Sequence, residues 1–294
     1  MKKLLSFFLC AALLLSAAPV LAADALSPGE ARAVIGANLS DEQVANVYEF
    51  FGIARGAAPE LKVTNAEERT YLEGLVSDSI IGTQSISCVY LEILPEGSGL
   101  EIATHNLNWC TQEMFINAVV TAGIYDARII VAAPYSVSGT AALTGIYKAY
   151  EDISGQELDD IAKLIGTQEL VVTAEIAEAV GSFDAAQIVN ELKLVLSETE
   201  IMTDADLRNQ IITIANDYGV NLTDGQINQL IELCRSLEGL SSDELQKKVE
   251  YVQNTVRKLA EAKETVSGIT ERVRVIVDAI SGFIDKVVSL FTRK

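Results

Sequence analysis

The sequence predicts a mixed α+β fold. A small N-terminal sheet, a hairpin plus a third strand, carries helices. An all-helical C-terminal portion follows and ends in a long interrupted helix. Three observations carry this prediction. Strand-like segments concentrate between Ser85 and Ala133. Capping-box spacings recur along the chain. Beyond residue 154, apolar positions keep a helical period and no convincing strand remains.

The chain opens with "MKKLLSFFLCAALLLSAAPVLAAD". Lys2 and Lys3 form a basic start, residues 4–15 a short apolar core, and Val20, Leu21 and Ala22 suit signal peptidase. This predicts a signal peptide over residues 1–23, cut after Ala22 or Ala23, and a secreted or extracytoplasmic protein of the cell envelope. The apolar core is too short for a comfortable span. Cys10 lies inside it without small residues before it, which argues against lipid attachment.

Export changes the charge balance. The formal charge of -19 becomes -21, because the two positive charges of Lys2 and Lys3 leave. An acidic surface of this size disfavours nucleic acid and anionic headgroups as partners. Its ordinary role is solvation. Of the remaining cysteines, Cys88 and Cys110 flank the expected hairpin, so export would permit a disulfide between them. Cys234 sits at an apolar helical position and reads as a buried thiol. With one histidine and no metal-ligand spacing, neither a metal nor a cofactor is expected.

Helix starts follow in order. Ser27 with Glu30, Ser40 with Gln43, Thr64 with Glu67, Ser154 with Glu157, Thr223 with Gln226 and Ser241 with Glu244 each have capping-box spacing. Thr203 with Asp206 is a weaker version. Two of these starts follow Asn38 and Asn221, whose N-x-[ST] matches are taken as coincidence. The strands begin with "SISCVYLEIL", turn at "PEGSG" and return as "LEIATHNL". "TQEMFINAVVTAG" has helical spacing, "ARIIVAA" is the third strand, and a helix over about 139–152 closes the unit. The expected units are therefore residues 24–153 (mixed α/β), 154–240 (helical) and 241–294 (a long amphipathic helix or helix pair). Asp278, Asp285 and Lys286 prevent that last segment from spanning a membrane. It could pack on its own bundle, self-associate or lie on a membrane surface.

Chemistry concentrates in two places. The only histidine, His105, stands in "ATHNLNWC" beside Asn106, Asn108 and Trp109. The stretch "APYSVSGTAALTGIYKAYE" brings Ser138, Gly139, Thr140 and Thr144 to a strand-to-helix turn. It matches neither G-x-S-x-G nor the phosphate-binding loop. Ser138 is expected as the N-cap of the following helix, with Gly139, Ala141, Ala142 and Gly145 keeping one face small against the sheet. A functional version of the turn would offer the Gly139 and Thr140 amides to an anion. His105 could in principle serve as base to Ser138 or Thr140. The ordinary reading is that His105 and the asparagines satisfy backbone groups where strand becomes helix. Binding candidates are thus Asn106, Asn108, Trp109, Ser138, Gly139, Thr140 and Thr144. The catalytic candidates are His105, Ser138 and Thr140, with none committed.

The segments "THN", "NAVVTAG", "DARIIVAAP" and "VSGTAALTGIYKAYE" closely resemble the core of the domain of unknown function 1002 family of exported bacterial proteins. "IGANLSDEQ" and "NDYGVNLTDGQI" extend the resemblance over nearly the whole chain. It implies a secreted or envelope protein of a Gram-positive type bacterium. It brings no established activity, substrate or cofactor, and so no catalytic residues. The residues favour a non-enzymatic binding or interaction protein acting on an unknown protein or cell-envelope ligand. The alternative is a secreted envelope hydrolase using Ser138 or Thr140 with His105.

Overall fold

The computed structural model describes residues 26–195, 202–240 and 251. Most of the segment 241–294, including the start expected at Ser241, lies outside the described residues.

The first element is a strand, β1 (Ala31–Gly36), where a helix was expected from Ser27. Ser27 instead opens a turn, its carbonyl accepting from the Glu30 amide at 3.1 Å. "ARAVIG" then places Val34 in one apolar cluster and Ala33 and Ile35 in another, because successive side chains of a strand point to opposite faces. Helix α1 (Asp41–Phe51) starts at the expected Ser40–Gln43 capping box. Strand β2 (Glu60–Val63), absent from the sequence reading, runs parallel to β1. Helices α2 (Asn65–Leu72) and α3 (Asp78–Ile81) follow, α2 capped by Thr64 and Glu67 as expected.

Strands β3 (Cys88–Ile93), β4 (Leu100–Leu107) and β5 (Ala127–Val137) complete a five-stranded sheet of order β2-β1-β3-β5-β4. The expected hairpin is therefore corrected. β5 lies between β3 and β4, antiparallel to the first and parallel to the second. β5 is apolar on both faces: Ile129 and Val131 join one cluster, Ile130 and Ala132 the other. Such a strand belongs inside a sheet, whereas β4, with Glu101 exposed, suits an edge. The parallel β4–β5 pair needs a crossover, supplied by α4 (Gln112–Thr121).

Helix α1 covers one face of the sheet, and α4 and α5 (Thr140–Ser154) the other. The small-residue face of α5 does approach closely: a Cβ added at Gly145 would stand 3.3 Å from Val89 Cγ2. The helical portion comprises α6 (Asp160–Val180), α7 (Ser182–Leu194), α8 (Asp204–Asp217) and α9 (Asp224–Glu238). The start expected at Ser154 is corrected. Ser154 ends α5, and Asp159 caps α6 by accepting from the Ala162 amide at 2.8 Å. Leu170 and Ala174 of α6 join the sheet cluster, while Ile165, Val172 and Ile176 join the helical one. One helix thus belongs to two cores. Among the described residues no helix is long and apolar enough to cross a membrane.

Candidate functional site

Three connections meet beside α2. They are the segment after α3, the segment after β4 and the turn from β5 into α5. Backbone bonds lace the last two together: the Asn108 amide donates to the Val137 carbonyl and the Cys110 amide to the Ser138 carbonyl, each at 2.9 Å. Asn106 makes this possible. It takes a left-handed conformation, φ 60°, at the irregularity between His105 and Leu107, and its side-chain amide donates to the Ala133 carbonyl at 2.7 Å. Polar Asn tolerates that region better than most residues.

The turn into α5 differs from the expected cap. Gly139, not Ser138, is the N-cap, at φ 93°, and no side chain caps the helix. The reason is the length of β5, which runs past Pro134 to Val137 and leaves only two residues before the helix. A chain reversing that quickly needs the positive φ that glycine adopts without strain. The Ser138 hydroxyl lies 3.1 Å from the Thr140 hydroxyl instead.

These segments and α2 enclose a cleft of about 430 Å³, lined by Glu68, Ile80, Ile86, Asn108, Trp109, Ser138, Gly139 and Thr140 among others. Glu68 was not anticipated from sequence. It is 1 % exposed. Its Oε2 accepts from the Asn65 side chain at 3.1 Å, while its Oε1 has no hydrogen-bond partner among the described residues. The Thr140 hydroxyl and the Asn65 side chain favour the charged form. Burial dominates and holds the Glu68 carboxyl above the usual carboxylate range. Arg69 keeps this arrangement in place. It donates to Asn65 at 3.1 Å, to Asp78 at 2.7 Å and to the Gly82 carbonyl at 2.8 Å, tying α2 to the wall after α3. The available sequence signal was an acid one helical turn before Leu72, hence in phase with the buried face of α2.

Asn108, Trp109, Ser138, Gly139 and Thr140 therefore come together. Thr144 is buried one turn further along α5, outside the cleft lining. Asn106 supports the loop from outside it. His105 is elsewhere: it pairs with Ala132, whose side chain joins the α1-facing cluster, and its ring stacks on Phe50 of α1 at 4.8 Å. The sheet separates it from the Ser138 and Thr140 hydroxyls. The Trp109 indole donates to Glu178 of α6 at 3.2 Å, which ties the cleft to the helical portion.

The disulfide considered for Cys88 and Cys110 is not formed. Both are free and buried, in clusters on opposite faces of the sheet. Cys88 Sγ accepts from the Gly36 amide at 3.3 Å and contacts the Ile86 carbonyl at 3.4 Å. Burial raises the Cys88 thiol to about 12 and the Cys110 thiol further. Cys234 is buried in the helical core, as expected. Among the described residues, no group of three or more His, Cys, Asp or Glu side chains could hold a metal ion.

Fold and site define a mixed α+β protein: a five-stranded sheet, a helical layer docked on it, and an acid-floored cleft at the strand ends. The family model described as "Protein of unknown function (DUF1002)" matches residues 35–259. The chain belongs to this family, as its central motifs had implied. It is also 33% identical to the uncharacterized protein YpuA of Bacillus subtilis (strain 168) over 294 residues, 99% of this chain and 100% of that protein. No solved structure matches.

Proposed function

We propose that this is an exported protein of the cell envelope that works by binding a small ligand in the Glu68–Trp109–Thr140 cleft. The basic and apolar start of the chain supports export, and the acidic composition suits an exposed, soluble protein. The cleft itself carries the binding reading. It is walled by three laced connections, and it contains a buried carboxylate with an unfilled acceptor position. Binding sites combine concavity with a few placed polar groups in this way. The hydrolase alternative is less well supported, because His105 stacks on Phe50 on the α1 side while Ser138 and Thr140 line the cleft beside α2, whose lining does not include His105.

Two measurements test the proposal. Protein recovered from the envelope or medium should begin at Ala23 or Asp24 on N-terminal sequencing. A chain that stays in the cytoplasm with its start intact would end the export reading. Trp109 is the only tryptophan, so its fluorescence reports on the cleft. Titration of the mature protein with solubilised envelope fragments should give a saturable change that Thr140→Val weakens. Hydrolysis of those fragments that depends on Ser138 and His105 would favour the alternative.

A further inference from the structure

We propose that the cleft takes a small organic ammonium ion, with the Glu68 carboxylate as its counter-charge. This rests on the cleft being the binding site and adds the chemistry of what enters it. A carboxylate oxygen shut away from water without a donor is costly, and the cost is relieved when a donor arrives. Glu68 Oε1 is in that position. Among the described residues, the lining includes no Lys, Arg or His that could supply the charge from within. Arg69, next along α2, directs its guanidinium to Asn65, Asp78 and the Gly82 carbonyl.

Three ligand classes compete for such a site. An anion would find no counter-charge, because the described lining residues include no Lys, Arg or His. A metal ion such as calcium takes six or more oxygen ligands, usually with several carboxylates, and Glu68 is the only carboxylate in the lining among the described residues. An ammonium group needs one carboxylate and a few neutral acceptors. Asn108, Ser138 and Thr140 can supply the latter from the same wall. Ile80, Ile86 and Trp109 provide apolar surface for the carbon skeleton.

A bound ammonium would favour the ionised form of Glu68. The titratable neighbours are Arg69 on the same helix, which favours the charge, and Cys110 after β4. Thr140 of α5 contributes its hydroxyl. Amine affinity should therefore rise with pH as the carboxyl ionises.

The test uses two matched pairs of probes on the mature protein: glucosamine with glucose, and 2-phenylethylamine with 2-phenylethanol. Calorimetry and Trp109 fluorescence would follow binding. At least one amine should bind at pH 7.5 about tenfold or more tightly than its neutral partner, as expected for a charge-assisted hydrogen bond. Glu68→Gln should abolish the preference. Should that variant fail to fold, Glu68→Asp decides: a carboxylate set one methylene further back should weaken the preference for the amine, and an unchanged preference would overturn the assignment. Neutral probes that bind as well as amines would overturn the ammonium assignment and leave the cleft a binding site. Amine binding indifferent to Glu68→Gln, or no binding by any probe, would also overturn it. In the last case, a Trp109 response to envelope fragments still decides the broader reading separately.

Discussion

Lys193 of α7 forms an ion pair with Glu169 of α6 where neither side chain reaches solvent: they are 4 % and 0 % exposed. Thr121 of α4 donates to the same carboxylate at 2.5 Å, and Lys193 also donates to the Asn117 carbonyl of α4 at 3.3 Å. One buried pair thus joins three helices. Burial lowers the Lys193 pKa while Glu169 opposes the shift. Removing one partner strands the other, so Lys193→Met should cost about 3–5 kcal/mol. Replacing both, with Lys193→Met and Glu169→Leu together, should recover most of that loss. Urea unfolding of the single and double variants measures the difference.

At the turn into α5, the order of sensitivity should invert what a capping serine implies. Gly139 has φ 93°, and an added Cβ would stand 3.0 Å from Leu107 Cδ1. Gly139→Ala should cost about 1–3 kcal/mol through backbone strain and this contact. Ser138→Ala loses only a hydroxyl contact with Thr140 and should cost at most about 1 kcal/mol. Denaturation midpoints of the two variants make the comparison.

That inversion shows where the sequence was legible. Ser40 with Gln43, Thr64 with Glu67, Thr203 with Asp206 and Thr223 with Gln226 all form the capping boxes their spacing implied, because a cap is a contact within four residues. The helices after residue 154 followed for the same reason, since their periodicity is local. Strand neighbours are not local. Nothing near "PEGSG" says that β5, about thirty residues on, will enter between the strands that the turn connects. Ser27 and Ser154 had cap spacing but lay in a turn and at a helix end. The site divided likewise: the β5–α5 turn stood out by composition, whereas Glu68 acquired its role only when α2 was packed beneath it.

The three described thiols should be silent in the native protein. Burial pushes Cys88 and Cys234 to about 12, and Cys110 higher. A thiol reacts through its thiolate, so at pH 8 a disulfide-exchange reagent should find almost none until the chain unfolds. In guanidinium all three should react without prior reduction. A single reactive thiol would mean that two of the three are paired, and peptide mapping would show whether they are Cys88 and Cys110.

Glu68 should destabilise the empty protein as pH rises. Its carboxyl is raised by burial, so its favourable contribution is present below the ordinary carboxylate range. That contribution is lost as pH climbs through the raised value, because the unfolded chain ionises first. Glu68→Gln removes the titration. Without ligand, the variant should melt above the native protein at pH 7.5, and the gap should shrink towards pH 4. A gap that widens on acidification would mean that Glu68 is held as a stabilised carboxylate instead.

The sheet and the helical portion should unfold together, and two helical glycines provide the test. Exchanging a helical glycine for alanine normally stabilises by about 1 kcal/mol. Gly225 in α9 has only Thr223 Oγ1 within reach, at 3.9 Å, so Gly225→Ala should be neutral or stabilising. At Gly166 in α6, an added Cβ would stand 2.6 Å from the Ala118 carbonyl oxygen and 3.0 Å from the Tyr147 hydroxyl. The first atom is α4 backbone and cannot turn aside, so α6 would have to move off the sheet layer. Gly166→Ala should therefore destabilise by about 1–3 kcal/mol, as overpacking does. Because α6 serves both cores, that loss should appear equally in Trp109 fluorescence, which reports on the cleft, and in far-ultraviolet dichroism, which reports on the helices. Coincident shifts of the two transitions would identify one cooperative unit. A shift in only one would mean that the contact between α4 and α6 can open while both halves stay folded.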